Sequence, residues 1–230
     1  MKFPNLTRCL AFAAVTMSMA SCSTDSGDYT YEPPQVAYGV VANASPDSGD
    51  LYFFADDNAV NVNGLNYTDA EGYYSFSPGE RVLKIKDETG EVLATDTLTL
   101  TVGQVFSTFA VNRFEEIELV TFQDSLEYPA TNKARVRFIN LTADAPEIMI
   151  YKNSQTIATL PFKGSSDYMD VEVDALENYV FKLAGSEQTL YTMTNGNLEV
   201  GRIYTIYTKG YVYPPAASND TFSAETIRNY

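Results

Sequence analysis

The sequence predicts an all-β protein built from two related sandwiches in tandem, and three observations carry that expectation. Short runs rich in Val, Ile, Thr, Tyr and Phe are closed off by Gly, Pro, Asn and Asp. No stretch sustains a helical period. The chain also repeats itself. "LTVGQVFSTFAV" (100–111) returns as "LEVGRIYTIYTK" (198–209), with Gly103 matching Gly201, and "RVLKI" (81–85) returns as "YVFKL" (179–183). "NASPDSGDLYFFADDN" (43–58) returns as "NLTADAPEIMIYKNSQ" (140–155). The offset is 97 to 98 residues, apart from a two-residue slip near Tyr73 and Tyr168.

Residues 1–21 have the zones of a secretory signal: Lys2 and Arg8, then the apolar run from Cys9 through Ala14 to Met17, then the small residues Ala20 and Ser21. That run is too short to span a bilayer, which takes about 20 residues. "MASC" (19–22) resembles a lipobox, in which the cysteine is diacylated and becomes the first mature residue. Met19 stands where Leu is usual, a relaxation similar to that in lipoproteins of Bacteroidetes. The chain has two cysteines, and Cys9 leaves with the signal, so Cys22 is the expected lipid anchor and membrane contact. Residues 22–35 read as a solvated tether ending in two prolines. Ser23 follows the cysteine rather than Asp, so the usual inner-membrane retention cue is missing. Asp25 and Asp28 faintly resemble the acidic surface-export signal of such lipoproteins. The expected location is a lipid anchor in the outer membrane, facing either the cell surface or the periplasm.

The first repeat is expected over 36–124 and the second over 134–230, joined by a polar linker, 125–133, that contains Pro129. In the second repeat "RVRFINL", "IMIYKN", "YMDVEV", "YVFKLAG", "TLYTMT", "IYTIYTKG" and "TFSAETI" read as strands, and "DAPE", "NGN" and "PPAASND" as turns. Seven short strands in roughly 100 residues fit an immunoglobulin-like β-sandwich. Tyr204 follows Gly201 by three and precedes Ile206 by two, the spacing of a tyrosine corner whose hydroxyl bonds back to the main chain. Phe106 takes that place in the first repeat and has no hydroxyl. "ASPD" (44–47) and "ADAP" (143–146) look like two versions of an S-P-D-A-P signature. With the later V-G-x-x-Y/F strand, they resemble a bacterial domain-of-unknown-function family of immunoglobulin-like tandem repeats on secreted and surface proteins. That resemblance implies a fold and a location rather than a reaction centre.

Composition narrows the function. Loss of residues 1–21 removes two basic residues and no acid, leaving 13 basic and 30 acidic side chains and a formal charge of −17. Such a surface repels phosphate backbones, so nucleic acid is not an expected partner. The chain has no histidine, which removes Ser-His-Asp and Cys-His catalysis, histidine-bound zinc and histidine pH switching. A glycosidase needs only two carboxylates, yet no acid sits in a sequence setting that predicts a raised pKa. Asp47 and the run Asp56, Asp57, Asn58 lack the alternating ligand spacing of a calcium loop. No catalytic residue, metal site or cofactor is expected.

Binding is the favoured activity, toward a glycan or protein partner. Tyr73, Tyr74, Tyr211 and Tyr213 stand at expected loop and strand ends, where amphipathic rings suit recognition. "YVYPPAASND" (211–220) has no counterpart of its length in the first repeat and is the foremost candidate contact loop. "DTL" (96–98) and "DSL" (124–126) resemble O-glycosylation acceptors of Bacteroidetes envelope proteins, with Ser125 favoured over Thr97. Two other readings stand beside binding: a structural spacer or subunit of an outer-membrane or surface assembly, and a carboxylate-dependent glycan-active enzyme. Fimbrial precursors of Bacteroidetes are also lipoproteins with two sandwiches, but they are processed at an early Arg, and this chain has none between Cys22 and Arg81.

Overall fold

β-Rich runs pair antiparallel wherever a residue with positive φ turns the chain back, and they add parallel pairs where a longer crossover carries it between sheets. The computed structural model describes residues 33–173, 178–194 and 198–229. Cys22 and the expected signal lie outside the described residues, as does the expected turn at 195–197. Strands Ala37–Asn43 (β1), Tyr52–Ala55 (β2), Asn58–Ala59 (β3), Ala70–Phe76 (β4), Gly79–Lys86 (β5), Val92–Leu100 (β6), Val105–Val111 (β7) and Glu118–Gln123 (β8) form the first half. Lys133–Asn140 (β9), Glu147–Lys152 (β10), Gln155–Pro161 (β11), Met169–Glu172 (β12), Asn178–Leu183 (β13), Thr189–Thr194 (β14), Ile203–Lys209 (β15) and Ser223–Arg228 (β16) form the second.

The sheet orders are β4-β1-β7-β8 and β3-β2-β5-β6, then β12-β9-β15-β16 and β11-β10-β13-β14. Adding eight to each strand of the first pair gives the second, so the halves share one topology. Registers agree as well. Val40 on β1 lies beside Ser107 on the parallel β7, and Arg137 on β9 lies beside Thr205 on the parallel β15. Gly103 and Gly201 both take positive φ, 76° and 78°, and donate their N–H groups to the matching carbonyls of Val36 and Lys133. The left-handed turn needed before β7 and β15 explains why glycine recurs there.

Two features differ from the sequence reading. Among the described residues each half has eight strands rather than seven. The extra ones, β3 and β11, are edge strands: β3 has two residues, and β11 turns back at Asn153 and Ser154, both with positive φ. The order also departs from the constant-type immunoglobulin sandwich, whose first strand pairs with its second. Here β1 sits between β4 and β7, while β2 belongs to the opposite sheet. The physical cause is the segment after β1. Fully buried Asn43 donates from Nδ2 to Ser48 Oγ, to the Gly49 carbonyl and to the Leu65 carbonyl, so the chain crosses between sheets instead of forming a hairpin. Asn140 does the same with the carbonyls of Ala145 and Leu160.

Each pair of sheets encloses its own core. Val41, Phe53, Ile85, Phe106 and Ala110 lie in the first, and Val136, Phe138, Ile150, Phe181 and Ile206 in the second. The Tyr204 hydroxyl accepts the Glu199 N–H at 3.0 Å, the back-bond its spacing predicts. A third core joins the halves. Val40, Ala42, Phe109 and Val111, on the other face of β1 and β7, pack against Ile139, Leu141, Tyr207 and Ile227. Strands β1, β7, β9 and β15 are thus buried on both faces along most of their length. Gln35–Tyr230 accordingly form one compact unit, and the segment expected as a linker begins beside a buried residue, Asp124, that is 5% exposed.

Asp124 pairs with Arg137, itself 2% exposed, across the third core. The guanidinium also donates to Thr205 Oγ1 at 2.9 Å and to the Gln123 carbonyl at 2.8 Å. Ser107 and Tyr73 hydroxyls donate to the Asp124 carboxylate at 2.7 and 3.2 Å, and Asn229 bonds both Tyr73 and Thr205. Replacing one member leaves the other charge buried without its counterion. Arg137→Ala should therefore lower unfolding free energy by about 3–5 kcal/mol, and Arg137→Met combined with Asp124→Leu should recover part of that loss. Urea denaturation followed by circular dichroism checks both, and a single-variant loss below ~1 kcal/mol would contradict the role given to the pair. In the first core, a Cβ on Gly39 would come within 2.5 Å of the Phe106 ring. Gly39→Ala should cost about 1–3 kcal/mol by overpacking, and an unchanged urea midpoint would show that the Phe106 and Phe76 rings can give way.

Candidate functional site

Both S-P-D-type segments start from a buried asparagine, and both end by presenting an aspartate to the same long loop. Asn43 Oδ1 accepts the Ser45 N–H and Asn140 Oδ1 accepts the Thr142 N–H, each at 3.1 Å, forming matched Asx turns. Two residues further on, Asp47 and Asp144 project away from the turns. Asp144 receives the N–H groups of Val212 and Tyr213, both at 2.7 Å. Asp47 receives the Ser218 hydroxyl at 2.8 Å, and its own N–H donates to Asp220 at 2.9 Å. One loop of the second half is therefore held by an aspartate from each half.

The loop closes at its base. Tyr211 N–H donates to the Asp220 carbonyl and Phe222 N–H to the Tyr211 carbonyl. Gly210 precedes it with φ +77°, and a Cβ there would lie 2.5 Å from the Thr221 carbonyl, so only glycine fits. Between these anchors Tyr213, Pro214, Pro215, Ala216 and Ala217 are exposed. Two prolines restrict the tip further. The result is a pre-set apolar and aromatic projection on an acidic surface. A hollow of about 230 Å³, lined by Ala143, Asp144, Ala145, Pro146 and Phe162, lies beside the second turn.

The four tyrosines singled out from the sequence separate by environment. Tyr213 is 72% exposed at the loop tip. Tyr211 is 3% exposed, with the Arg113 guanidinium 5.9 Å from its ring centroid. Tyr73 is half-buried with its hydroxyl on Asp124, and Tyr74 is half-buried with its hydroxyl 2.5 Å from Glu71. Three of the rings thus serve intramolecular contacts, and one faces solvent. Thr97 is exposed within β6 opposite Val82, while Ser125 is half-buried and accepts the Glu127 N–H at 3.3 Å. The acids weighed as calcium ligands are engaged elsewhere: Asp56 with Arg81 at 2.8 Å, Asp57 with Lys84 at 3.0 Å, and Asp47 with Ser218. The Val82 N–H and the Arg81 guanidinium hold the Asp56 carboxyl below the usual range, so it remains an anion rather than a general acid.

Sequence reasoning missed the polar cluster of the third core. Arg135 and Arg137 alternate with Val136 and Phe138, a pattern that reads as a solvated strand face. The counter-signal was the near-continuous apolar character of β1, AYGVVAN, which called for a second covering layer.

Burial, followed by the adjacent Asp47 carboxylate, pushes the Tyr211 hydroxyl up to about 12, and burial with the Glu71 hydrogen bond pushes Tyr74 up to about 12. Unfolded tyrosine ionises near 10, so the native state keeps protons that the unfolded chain has lost. The stability from these groups is full below about pH 10 and is lost as pH rises toward 12. Urea midpoints measured from pH 8 to 12 should fall across that interval, and Tyr211→Phe should flatten the fall. An identical slope in the variant would remove Tyr211 from the account.

The family model described as a domain of unknown function (DUF4397) matches residues 37–151, from the first residue of β1 to Tyr151 within β10. That span contains the whole first half and both asparagine-anchored turns. A search of curated proteins returned no match. With half of its 230 residues matched, the chain belongs to the DUF4397 domain-of-unknown-function family.

Proposed function

We propose that the protein is a non-catalytic cell-envelope lipoprotein, anchored through Cys22, whose two β-sandwiches present the 211–220 loop to a protein or glycan partner. The observation that carries this reading is the clamped loop: Tyr213 is 72% exposed while Asp144 of its own half binds the loop backbone and Asp47 of the other half binds the Ser218 and Asp220 side chains. An exposed ring on a restrained loop loses little conformational entropy on binding, which is how aromatic contact loops gain affinity. The lipobox-like Cys22 supports outer-membrane placement, and the acidic surface supports a partner other than nucleic acid. The second reading, a spacer or subunit of a surface assembly, draws on the third core, which turns two sandwiches into one stiff unit.

Protease shaving of intact cells, comparing wild type with Cys22→Ala and following the lipid by mass spectrometry, tests the placement. Acylated protein removed from whole cells supports surface display. Acylated but protected protein moves the proposal to the periplasmic face, and absence of lipid at Cys22 defeats the anchor. Glycan and host-protein binding screens with the soluble mature chain then test the loop. Tyr213→Ala should abolish any binding found while leaving the urea midpoint unchanged, and full retention of binding would exclude the loop as the contact.

A further inference from the structure

The two halves meet through equivalent strands, and at that meeting Val40 stands in one half where the other has Arg137. Strand pairing makes the equivalences explicit. Val40 beside Ser107 corresponds to Arg137 beside Thr205, while Phe122 opposite Ser107 corresponds to Ile227 opposite Thr205. Gln123 then corresponds to Arg228 and Asp124 to Asn229, whose N–H groups donate to the matching carbonyls of Val105 and Ile203. Tyr168 corresponds to Tyr73 through the two-residue slip.

On one side of this meeting Arg137 fills a built site. Its guanidinium lies 5.0 Å from the Tyr168 ring centroid and 5.8 Å from that of Phe122, and it bonds the Gln123 carbonyl, Thr205 and Asp124. On the other side Val40 ends at Cβ branching and reaches none of this. A cavity of about 300 Å³ opens there, bounded by Val40, Tyr73, Tyr207 and Ile227. Tyr73 and Ile227 are the counterparts of the two rings that flank Arg137. Asn229 stands where Asp124 would supply a carboxylate, but the cavity wall carries Asp69, Glu71 and Glu225 instead. Arg228 also lines the cavity and pairs with Glu199 at 3.5 Å. Lys209 pairs with Glu225 of the wall at 3.7 Å and the Tyr74 hydroxyl donates to Glu71, so each of those two carboxylates has one oxygen engaged and one to offer.

We propose that this cavity is a binding site for a guanidinium group supplied from outside the chain, taking on the second side the place that Arg137 occupies on the first. The aromatic wall of Tyr73 offers a cation–π face, the acids at the mouth offer charge-assisted hydrogen bonds, and the planar donor fork suits both. The source is either an arginine side chain of a partner protein or a small guanidinium compound.

The test titrates the mature, unacylated chain with Nα-acetyl-arginine methylamide and reads amide NMR shifts, with the citrulline analogue as the uncharged control of equal shape. Saturable shifts confined to Val40, Ala70, Gly72, Tyr73 and Ile227, absent with citrulline, support the site. Glu71→Gln with Glu225→Gln should then weaken binding by roughly tenfold or more. Val40→Arg should supply the group from within, abolishing the titration while keeping the urea midpoint at or above wild type. Because that variant places a charge on a buried strand, the carboxamide double variant decides the matter if Val40→Arg fails to fold. Comparing the blocked arginine with free arginine separates the sources: preference for the blocked form indicates a peptide side chain, and preference for the free amino acid indicates a small ligand. Absence of saturable shifts, or equal shifts with citrulline, overturns the proposal.

Discussion

The pairing of Asp124 with Arg137 is the contact on which the arrangement of the whole unit depends. Two apolar faces made of Val40, Ala42 and Phe109 on one side and Ile139, Leu141 and Tyr207 on the other gain free energy by meeting, but that gain is non-directional. Many relative positions of two twisted sheets would bury similar area. A buried ion pair behaves differently, because its desolvation is offset only when every donor and acceptor finds its partner. Arg137 finds Thr205, the Gln123 carbonyl and Asp124, and Asp124 finds Ser107 and Tyr73 in addition. Moving one sheet by a residue would leave two charges stranded in the interior. The polar cluster thereby selects one register for an interface that its apolar part leaves unspecified.

That register has consequences away from the third core. It brings Asp47, on the turn after β1, against Ser218 and Asp220 in the loop before β16. It also sets the Tyr207 hydroxyl 3.3 Å from the Thr68 carbonyl and Lys163 beside Glu118, two further contacts between halves. These surface contacts are individually weak. Their alignment follows from the buried network rather than producing it.

Much of the fold was legible in the sequence, and the parts that were not have physical reasons. The repeat carried the topology, because Gly103 and Gly201 mark a backbone conformation that other residues avoid, and Tyr204 announced its bond to the Glu199 N–H by spacing alone. Strands β3 and β11 escaped because edge strands bury little and need no strong alternation; Thr156, Ala158 and Pro161 read equally well as loop. The strand order escaped because pairing is a long-range property. It is Asn43 and Asn140, each bonding carbonyls about 20 residues away, that send the chain across to the opposite sheet. At the candidate site, the exposed Tyr213 was readable from its neighbouring prolines, whereas Tyr73, Tyr74 and Tyr211 drew attention as recognition rings and are used internally. An aromatic at a strand end looks the same in sequence whether solvent or a second sandwich covers it.

The 211–220 loop has no counterpart of its length in the first half, where the chain between β7 and β8 closes through a single 3₁₀ turn at Phe114–Glu116. A longer loop costs little in closure entropy, since each doubling adds about 0.6 kcal/mol, but an unrestrained one would pay conformational entropy again on meeting a partner. Asp144 restrains the loop from its own half and Asp47 from the other. Two of the differences between the halves bear on binding, the loop tip and the residue pair Val40 and Arg137. One half projects a ring outward and supplies a charge inward, and in both places the other half takes part, through Asp47 at the loop and through Asp124 at the buried guanidinium.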